Sequence, residues 1–293
     1  MTYFNTWSAL YFSCPAPILC YIFRHGKRFS PFNQLSFGKD IFMKLAVSGK
    51  GGVGKTTFSA LLIRTLDAQG KHVLAIDADP DANLAAAVGI EGAENITPIS
   101  EMKELIFERT GAQPGSIGGY FKLNPKVDDL PDALSAKLGN IKLMRLGGVK
   151  KGGAGCICPE STLLKVLVTH VVLARNEVVV MDMEAGIEHL GRATAKSVDK
   201  LIVVVEPGRR SIDTAEHIRR LASEIGLNNI FVIGNKIRGP QDELFLKKHL
   251  DGFEFLGFIP YDNALIEADL NGLSPFDVNS LAKAEITKMI RKL

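Results

Sequence analysis

The stretch that decides the fold of this chain is Gly49-Lys50-Gly51-Gly52-Val53-Gly54-Lys55-Thr56-Thr57. An apolar, strand-like run at 45–48 precedes it, and a helical pattern at 58–68 follows it. In that context the spacing predicts a phosphate-binding loop. Its glycines let backbone N–H groups converge on phosphate oxygens, and the helix N-terminus adds partial positive charge. We expect the whole stretch to bind a nucleotide, with Lys55 on the β- and γ-phosphates and Thr56 on Mg²⁺.

The composition is that of an ordinary globular protein, with 46% hydrophobic and 23% charged residues among 293. This length accommodates one large α/β domain and would also permit two. The net charge of +3 is too small to indicate nucleic acid or an anionic membrane as an obligatory partner. The cysteines form two pairs, Cys14/Cys20 and Cys156/Cys158, which favours the reducing cytoplasm and metal or redox chemistry over structural disulfides.

Residues 1–42 differ in character from the rest of the chain. An apolar, aromatic run at 9–23 contains Pro15 and Pro17, has no Lys or Arg before it, and is shorter than the ~20 residues that a membrane helix needs. We interpret 1–42 as an extension that is disordered or stems from a mis-assigned start; an N-terminal membrane anchor is the second interpretation. The nucleotide-binding domain is predicted to span 43–293, without stable membrane insertion.

Apolar strand-like runs alternate with helical patterns from Met43 onward, which predicts a doubly wound, mainly parallel α/β sheet flanked by helices. Ligands of such sheets bind beyond the carboxyl ends of the strands. The strands are predicted at 44–48, 72–77, 141–146, 177–182, 200–206, 229–235 and 253–259, and the main helices at 57–68, 161–175, 211–225 and 242–250.

Two segments depart from this alternation. Residues 89–140 are rich in Gly, Pro, Asn and Asp, so we interpret them as an irregular insertion with one helical piece at 102–109. Residues 280–293 carry an apolar stripe opposite Lys and Arg. We favour a terminal helix packed on its own sheet over a membrane-surface helix.

The extra lysine of the loop, Lys50, resembles the deviant phosphate loop of the MinD, nitrogenase iron protein and arsenite-pump ATPases. That resemblance implies a dimer in which Lys50 reaches the nucleotide of the partner. It also implies that Asp79 serves hydrolysis, since the Asp79-Pro80 stretch is similar to switch I of this class. The alternative is that one of the aspartates in the stretch 77–81 caps the following helix, a role open to Asp81. Asp182 ends a run similar to a Walker B strand, which implies a Mg²⁺ carboxylate, and the Ala185-Gly186 step after it is a candidate switch II.

The residues that are expected to contact the nucleotide base favour ATP over GTP. Asn235-Lys236 ends an apolar strand as in guanine sites, but the fourth position is Arg238, and a guanine ring needs a carboxylate acceptor there. The Asn235 amide could satisfy the exocyclic donor of an adenine. The later Pro260-Tyr261-Asp262 resembles the second adenine-side loop of the same ATPase class, so Asn235, Lys236, Pro260 and Asp262 are predicted base-side contacts.

Cys156-Ile157-Cys158-Pro159 follows a glycine-rich run, and Pro159 suits the first turn of a helix. The thiols therefore lie at a helix N-terminus, which favours thiolates and metal binding. Two thiols are half of a closed site, and a two-fold axis would supply the other half from a second copy. Four thiolates suit Zn²⁺, Ni²⁺ or an iron–sulfur cluster. The alternative is a pair of reactive thiols without metal.

The stretches 153–160 and 182–192, together with 205–211, resemble the CooC-type accessory ATPases for nickel insertion into carbon monoxide dehydrogenase. The resemblance implies an ATP-dependent homodimer that binds Ni²⁺ (or Zn²⁺) between paired Cys156 and Cys158, with carbon monoxide dehydrogenase as client. Two rivals stay open. One is an electron-transfer ATPase with a bridging iron–sulfur cluster; the other is a MinD/ParA-like positioning ATPase that uses its C-terminal helix on a membrane.

Overall fold

The structure is a computed structural model that describes residues 43–112, 120–147, 158–174, 177–187 and 198–293. The extension predicted at 1–42 lies outside these residues, so its boundary with the domain stays a prediction. Among the described residues, no helix is long and apolar enough to cross a membrane.

The described residues form an eight-stranded sheet with the strand order β3-β4-β2-β5-β1-β6-β7-β8. All neighbouring strands are parallel except β3 and β4, which are antiparallel. The predicted doubly wound, mainly parallel sheet is thereby confirmed. The strands are β1 (Lys44–Gly49), β2 (Val73–Ala78), β3 (Ala136–Leu138), β4 (Ile141–Arg145), β5 (Val178–Met183), β6 (Lys200–Val205), β7 (Ile230–Ile237) and β8 (Glu254–Pro260).

Helices cover both faces of this sheet. All four predicted main helices begin two residues earlier than predicted. In two of them a proline occupies the first helical turn, where its missing N–H costs nothing: Pro159 in α5 and Pro240 in α7. The helices are α1 (Lys55–Ala68), α2 (Leu84–Val88), α3 (Lys103–Thr110), α4 (Leu130–Leu134), α5 (Pro159–Ala174), α6 (Arg209–Ile225), α7 (Pro240–His249), α8 (Asn263–Leu270) and α9 (Ala282–Ile290).

The insertion at 89–140 is more regular than predicted. It contains α3 near the expected place, the short α4, and the edge strand β3, which the sequence analysis missed. β3 is only three half-exposed to exposed residues long, so it carries no apolar pattern to detect. Its pairing with β4 depends on a tight turn in which Gly139 has the left-handed φ of 57°.

Two buried cores lie on opposite faces of the sheet. β1 shows the division, because Ala46 belongs to one core while Leu45 and Val47 belong to the other. Strands covered on both sides read as unbroken apolar runs, which is why the periodicity of the sequence located them. The double cover leaves the carboxyl ends of the central strands as the place where polar side chains gather.

The C-terminal helix α9 packs on the domain itself, as predicted. Ala282, Ile286 and Met289 are at most 2% exposed and belong to the same core as α1 and β8. The apolar stripe is therefore a packing face, and the interpretation as a membrane-surface helix loses its main support.

Candidate nucleotide-binding site

The glycine loop joins β1 to α1, and the chain needs glycine there because two backbones approach closely. A Cβ on Gly49 would lie 2.3 Å from the carbonyl oxygen of Val204 on the neighbouring strand. Gly54 has a left-handed φ of 93°, and a Cβ there would lie 2.4 Å from Nδ2 of Asn235. Gly54 is the N-cap of α1 and has no side chain with which to cap this helix. The first N–H groups of α1 are thus available to an anion such as a phosphate.

Asp182, near the end of β5, lies beside the first turn of α1. The Oγ of Ser59 donates to its Oδ1 at 3.1 Å, and the nearby Thr56 hydroxyl stabilises the ionised carboxylate. The residue is 1% exposed, and burial raises its pKa to about 6. Its buried Oδ2 has no hydrogen-bond partner among the described residues. An unsatisfied buried carboxylate oxygen next to a threonine hydroxyl fits a hydrated Mg²⁺ ion.

Asp77 is a site residue that sequence reasoning left without a role. It pairs with Asp182 in the register of β2 and β5, and it is 1% exposed. Burial and the charge of Asp182 raise the pKa of Asp77 to about 7. Its Oδ2 accepts a hydrogen bond of 3.0 Å from the N–H of Leu84, the first residue of α2. Asp77, not Asp81, therefore holds the start of this helix, so the capping role considered for Asp81 is wrong.

The carboxylate of Asp79, the residue predicted to serve hydrolysis, is half-buried at the end of β2. Its Oδ1 accepts a hydrogen bond of 3.1 Å from the N–H of Asp81, which shapes the turn before α2. The hydrolytic role of Asp79 stays a prediction.

The candidate switch II follows Asp182 directly. Ser48, a fully buried residue of β1, donates its Oγ to the carbonyl oxygens of Gly186 at 2.7 Å and Glu184 at 3.3 Å. This contact ties the end of β1 to the segment predicted to sense the γ-phosphate. No local pattern marks Ser48, because its partners lie far along the chain. The continuation of the switch at 188–197 lies outside the described residues.

Asn235 and Lys236 reach the phosphate loop itself. Nδ2 of Asn235 donates to the carbonyl oxygen of Val53 at 2.7 Å, and Nζ of Lys236 donates to that of Gly52 at 2.6 Å. The adenine contact of Asn235, through its Oδ1, stays a prediction. These two residues of β7 hold the backbone of the phosphate loop in place, a role that sequence reasoning did not assign.

The loop after β8 contains the other two predicted base-side residues. Pro260 ends the strand, and Tyr261 lies under the guanidinium of Arg238, 5.4 Å from ring centroid to Cζ. The Asp262 carboxylate accepts hydrogen bonds from the N–H of Ala264 at 2.9 Å and the Oγ of Ser280 at 2.8 Å. Asp262 therefore also caps α8. Base contacts of Pro260 and Asp262 stay predictions.

The predicted thiol site is only partly within the described chain. Cys158 is half-buried directly before α5, and its carbonyl oxygen accepts the N–H of Thr162 at 3.0 Å. Cys156 lies outside the described residues. Within the part of the chain that the structure describes, no three His, Cys, Asp or Glu side chains form a metal-binding group. The Cys156–Cys158 metal site thus stays a prediction.

Comparison with known proteins agrees with this geometry. Residues 44–276 match the CbiA family, described as the CobQ/CobB/MinD/ParA nucleotide binding domain. The chain is 48% identical to the carbon monoxide dehydrogenase accessory protein CooC of Rhodospirillum rubrum, over 81% of this chain and 90% of that protein. It is 46% identical to an uncharacterized ATP-binding protein of Methanocaldococcus jannaschii, over 84% and 96%.

Solved structures share the fold. A MinC:MinD cell division complex from Aquifex aeolicus matches with a TM-score of 0.61 at 22% identity, covering 85% of this chain and 94% of the other. A putative plasmid partition protein of Borrelia burgdorferi bound to AMPPNP matches with a TM-score of 0.62 at 18% identity, covering 86% and 98%. With a phosphate loop, a buried Walker B carboxylate and these relatives, the chain belongs to the CobQ/CobB/MinD/ParA family of nucleotide-binding domains and is an ATPase of the CooC type.

Proposed function

We infer that this ATPase works as a homodimer that delivers nickel to carbon monoxide dehydrogenase during maturation of its nickel–iron–sulfur centre. One observation carries the inference: a Cys-x-Cys pair directly precedes α5 in a chain that is 48% identical to a carbon monoxide dehydrogenase accessory protein. In this function ATP is the reactant and Ni²⁺ (or Zn²⁺) is the cargo. The proposed location is the cytoplasm, which the cysteine usage supports.

The nucleotide half of the mechanism uses residues that converge on the loop. Lys55 would neutralise the β- and γ-phosphates, while Thr56 and Asp182 would hold Mg²⁺, which supplies further neutralisation of phosphate charge. Asp79 would orient the attacking water. Lys50 would cross the two-fold axis to the phosphates of the partner, so that ATP favours the closed dimer.

The metal half uses Cys156 and Cys158 from both subunits. Two copies supply four thiolates, which a tetrahedral Zn²⁺ or a square-planar Ni²⁺ accepts. The position of Cys158 supports the proposal because this half-buried thiol directly precedes α5, which fixes its place in the fold.

A shared core supports coupling between the two halves. Leu163 and Leu167 of α5 are fully buried in the same core as Met183 and Ile187, which follow Asp182. Densely packed cores transmit displacements, so a change in the switch that follows β5 would move the helix that carries the thiols. By linkage, the metal must then change nucleotide affinity or dimerisation by the same factor as nucleotide changes metal affinity.

Metal analysis of the reduced protein with and without ATP tests the thiol site. We expect one Ni²⁺ per dimer, lost in Cys156→Ser and Cys158→Ser but retained in the control Cys14→Ser. Metal content that is independent of both substitutions would contradict the site. Visible absorption and iron in protein purified without oxygen would instead favour the iron–sulfur rival.

Activation of nickel-free carbon monoxide dehydrogenase tests the client. Adding the protein with Ni²⁺ and ATP should speed the appearance of carbon monoxide oxidation, and Lys55→Ala should abolish the acceleration while leaving the purified variant folded. Equal activation by wild type and Lys55→Ala would show that the ATPase plays no part in maturation. ATP-dependent binding of the full chain to vesicles would favour the positioning rival.

A further inference from the structure

Glu206 follows β6 and lies beside the phosphate loop, although no nucleotide role has been given to it so far. β1, which leads into the loop, is a neighbour of β6 in the sheet, and its Gly49 pairs with Val204, two residues before Glu206. The N–H of Glu206 donates to the Oγ of Ser211 at 3.0 Å, and Ser211 is 2% exposed. The backbone of Glu206 is thus anchored to the first turn of α6, which fixes where its carboxylate can reach.

That carboxylate bridges two lysines of the site. Oε1 lies 3.6 Å from Nζ of Lys50, and Oε2 lies 3.0 Å from Nζ of Lys236. The side chains of Glu206 and Lys50 are 26% and 34% exposed. We call Glu206, Lys50 and Lys236 the Glu206 cluster. Its effect in the single subunit is to hold Lys50 beside its own loop.

The two lysines of the cluster are held differently. Lys236 is fixed by the carbonyl oxygen of Gly52 at 2.6 Å as well as by Glu206, and its backbone has a left-handed φ of 58°. The contact between Lys50 and Glu206 is the longer of the two ion pairs. Lys50 can therefore leave while Lys236 continues to neutralise Glu206. When Lys50 leaves, the Glu206 carboxylate therefore does not become an unpaired, partly buried charge, which would lower stability.

We propose that Glu206 is a positioning residue for Lys50, holding it within its own subunit until the phosphates of a second, nucleotide-bearing subunit displace the carboxylate. The inference rests on the proposed function, in which Lys50 crosses the dimer axis. A triphosphate with Mg²⁺ offers several charged oxygens in place of one carboxylate, so the exchange is favourable. A partly exposed ion pair contributes little, at most about a fivefold change in an equilibrium constant. The restraint therefore weakens dimerisation without preventing it.

The first experiment measures how accessible Lys50 is in the nucleotide-free protein. Acetylation by a water-soluble reagent, followed by peptide mass spectrometry, gives the labelling rate of each lysine. Glu206→Gln keeps the size of the side chain but removes its charge, so Lys50 should be labelled severalfold faster, while the remote Lys247 keeps its rate. The matched control Glu243→Gln breaks an ion pair of 3.4 Å with Lys247 and should leave Lys50 unchanged. An unchanged rate for Lys50 in Glu206→Gln would overturn the restraint.

The second experiment measures the dimer dissociation constant with AMPPNP and Mg²⁺ by sedimentation. Two restraints open for each dimer, so Glu206→Gln should tighten dimerisation by up to about twenty-five-fold. Weaker or unchanged dimerisation of Glu206→Gln beside a dimerising wild type would overturn the inference. A wild type that stays monomeric under these conditions would instead overturn the proposed dimer itself.

Discussion

Replacing Asp77 by Asn tests whether the buried carboxyls at the ends of β2 and β5 oppose folding once they ionise. The pKa of Asp77 is raised from 3.8 to about 7 by burial and by the charge of Asp182, and that of Asp182 is raised to about 6 by burial. In the unfolded chain both carboxyls ionise near their ordinary pKa. Between about pH 4 and pH 7 the folded state therefore binds more protons, so the free energy of unfolding falls as pH rises.

The raised pKa of Asp77 sets the size of this effect. Each carboxyl in its shifted range lowers the free energy of unfolding by up to about 1.4 kcal/mol per pH unit. Between about pH 5 and pH 8 this amounts to about 2–3 kcal/mol for Asp77 and about 1 kcal/mol for Asp182. Asp77→Asn removes the larger part of that slope. It also leaves the N–H of Asp79 or of Leu84 without a carboxylate oxygen, which lowers stability at every pH by about 1–3 kcal/mol.

The slope against pH is therefore the measurement, rather than the stability at one pH. Urea unfolding of the nucleotide-free protein, followed by circular dichroism at several pH values between about 5 and 8, gives it directly. The exposed Asp213→Asn is the control and should keep the wild-type slope. The slope should become shallower with Mg²⁺ and nucleotide, because a bound cation favours the ionised carboxylates. A wild-type stability that is constant or rises with pH, or a wild-type slope in Asp77→Asn, would refute this reasoning.

Three further substitutions probe the loop and the core. Gly54→Ala should lower the free energy of unfolding by about 1–3 kcal/mol and weaken nucleotide binding. Gly111→Ala should have smaller effects, since its φ is also left-handed but its added Cβ would meet nothing within 4 Å. Calorimetry and thermal melts compare the two variants. Asn235→Ala leaves the Val53 carbonyl without its donor and should cost about 1–3 kcal/mol together with nucleotide affinity, measured by calorimetry; unchanged affinity would contradict this role of Asn235. Ile286→Ala should cost about 2–5 kcal/mol in urea unfolding with nucleotide affinity kept, whereas a neutral effect would contradict the packing of α9.

Predictions from the sequence were accurate where a local pattern of residues determines the structure. Central strands such as β5 and β6 are buried on both faces, so their unbroken Val and Ile runs located them to within two residues. The phosphate loop was recognisable because its glycines stand within a few residues of one another, so they are visible as spacing. Gly54 allows a left-handed turn, and Gly49 allows a close backbone approach, although the carbonyl that approaches Gly49 belongs to Val204, far along the chain.

The contacts that were not predicted share a different cause. Each of them depends on a partner far along the chain or on a choice between equivalent neighbouring residues. Asn235 contacts Val53 across 182 positions, and Ser48 contacts Gly186 across 138. Among several nearby acids, only the three-dimensional path of β2 into α2 selects Asp77 as the one that holds Leu84. The pairing of Glu206 with Lys50 likewise follows from the adjacency of β1 and β6, which a linear pattern does not state.

The Asp262 carboxylate links the base-side loop to a part of the chain nearly twenty residues further on. It accepts hydrogen bonds from the Oγ of Ser280 and the N–H of Leu281, just before α9, as well as from the first turn of α8. The family match ends at residue 276, short of both partners. A domain cut at that family boundary would lose two of the three groups that hold this loop. The smallest chain expected to bind nucleotide as the full one does must therefore extend beyond Leu281 and through the helix that follows.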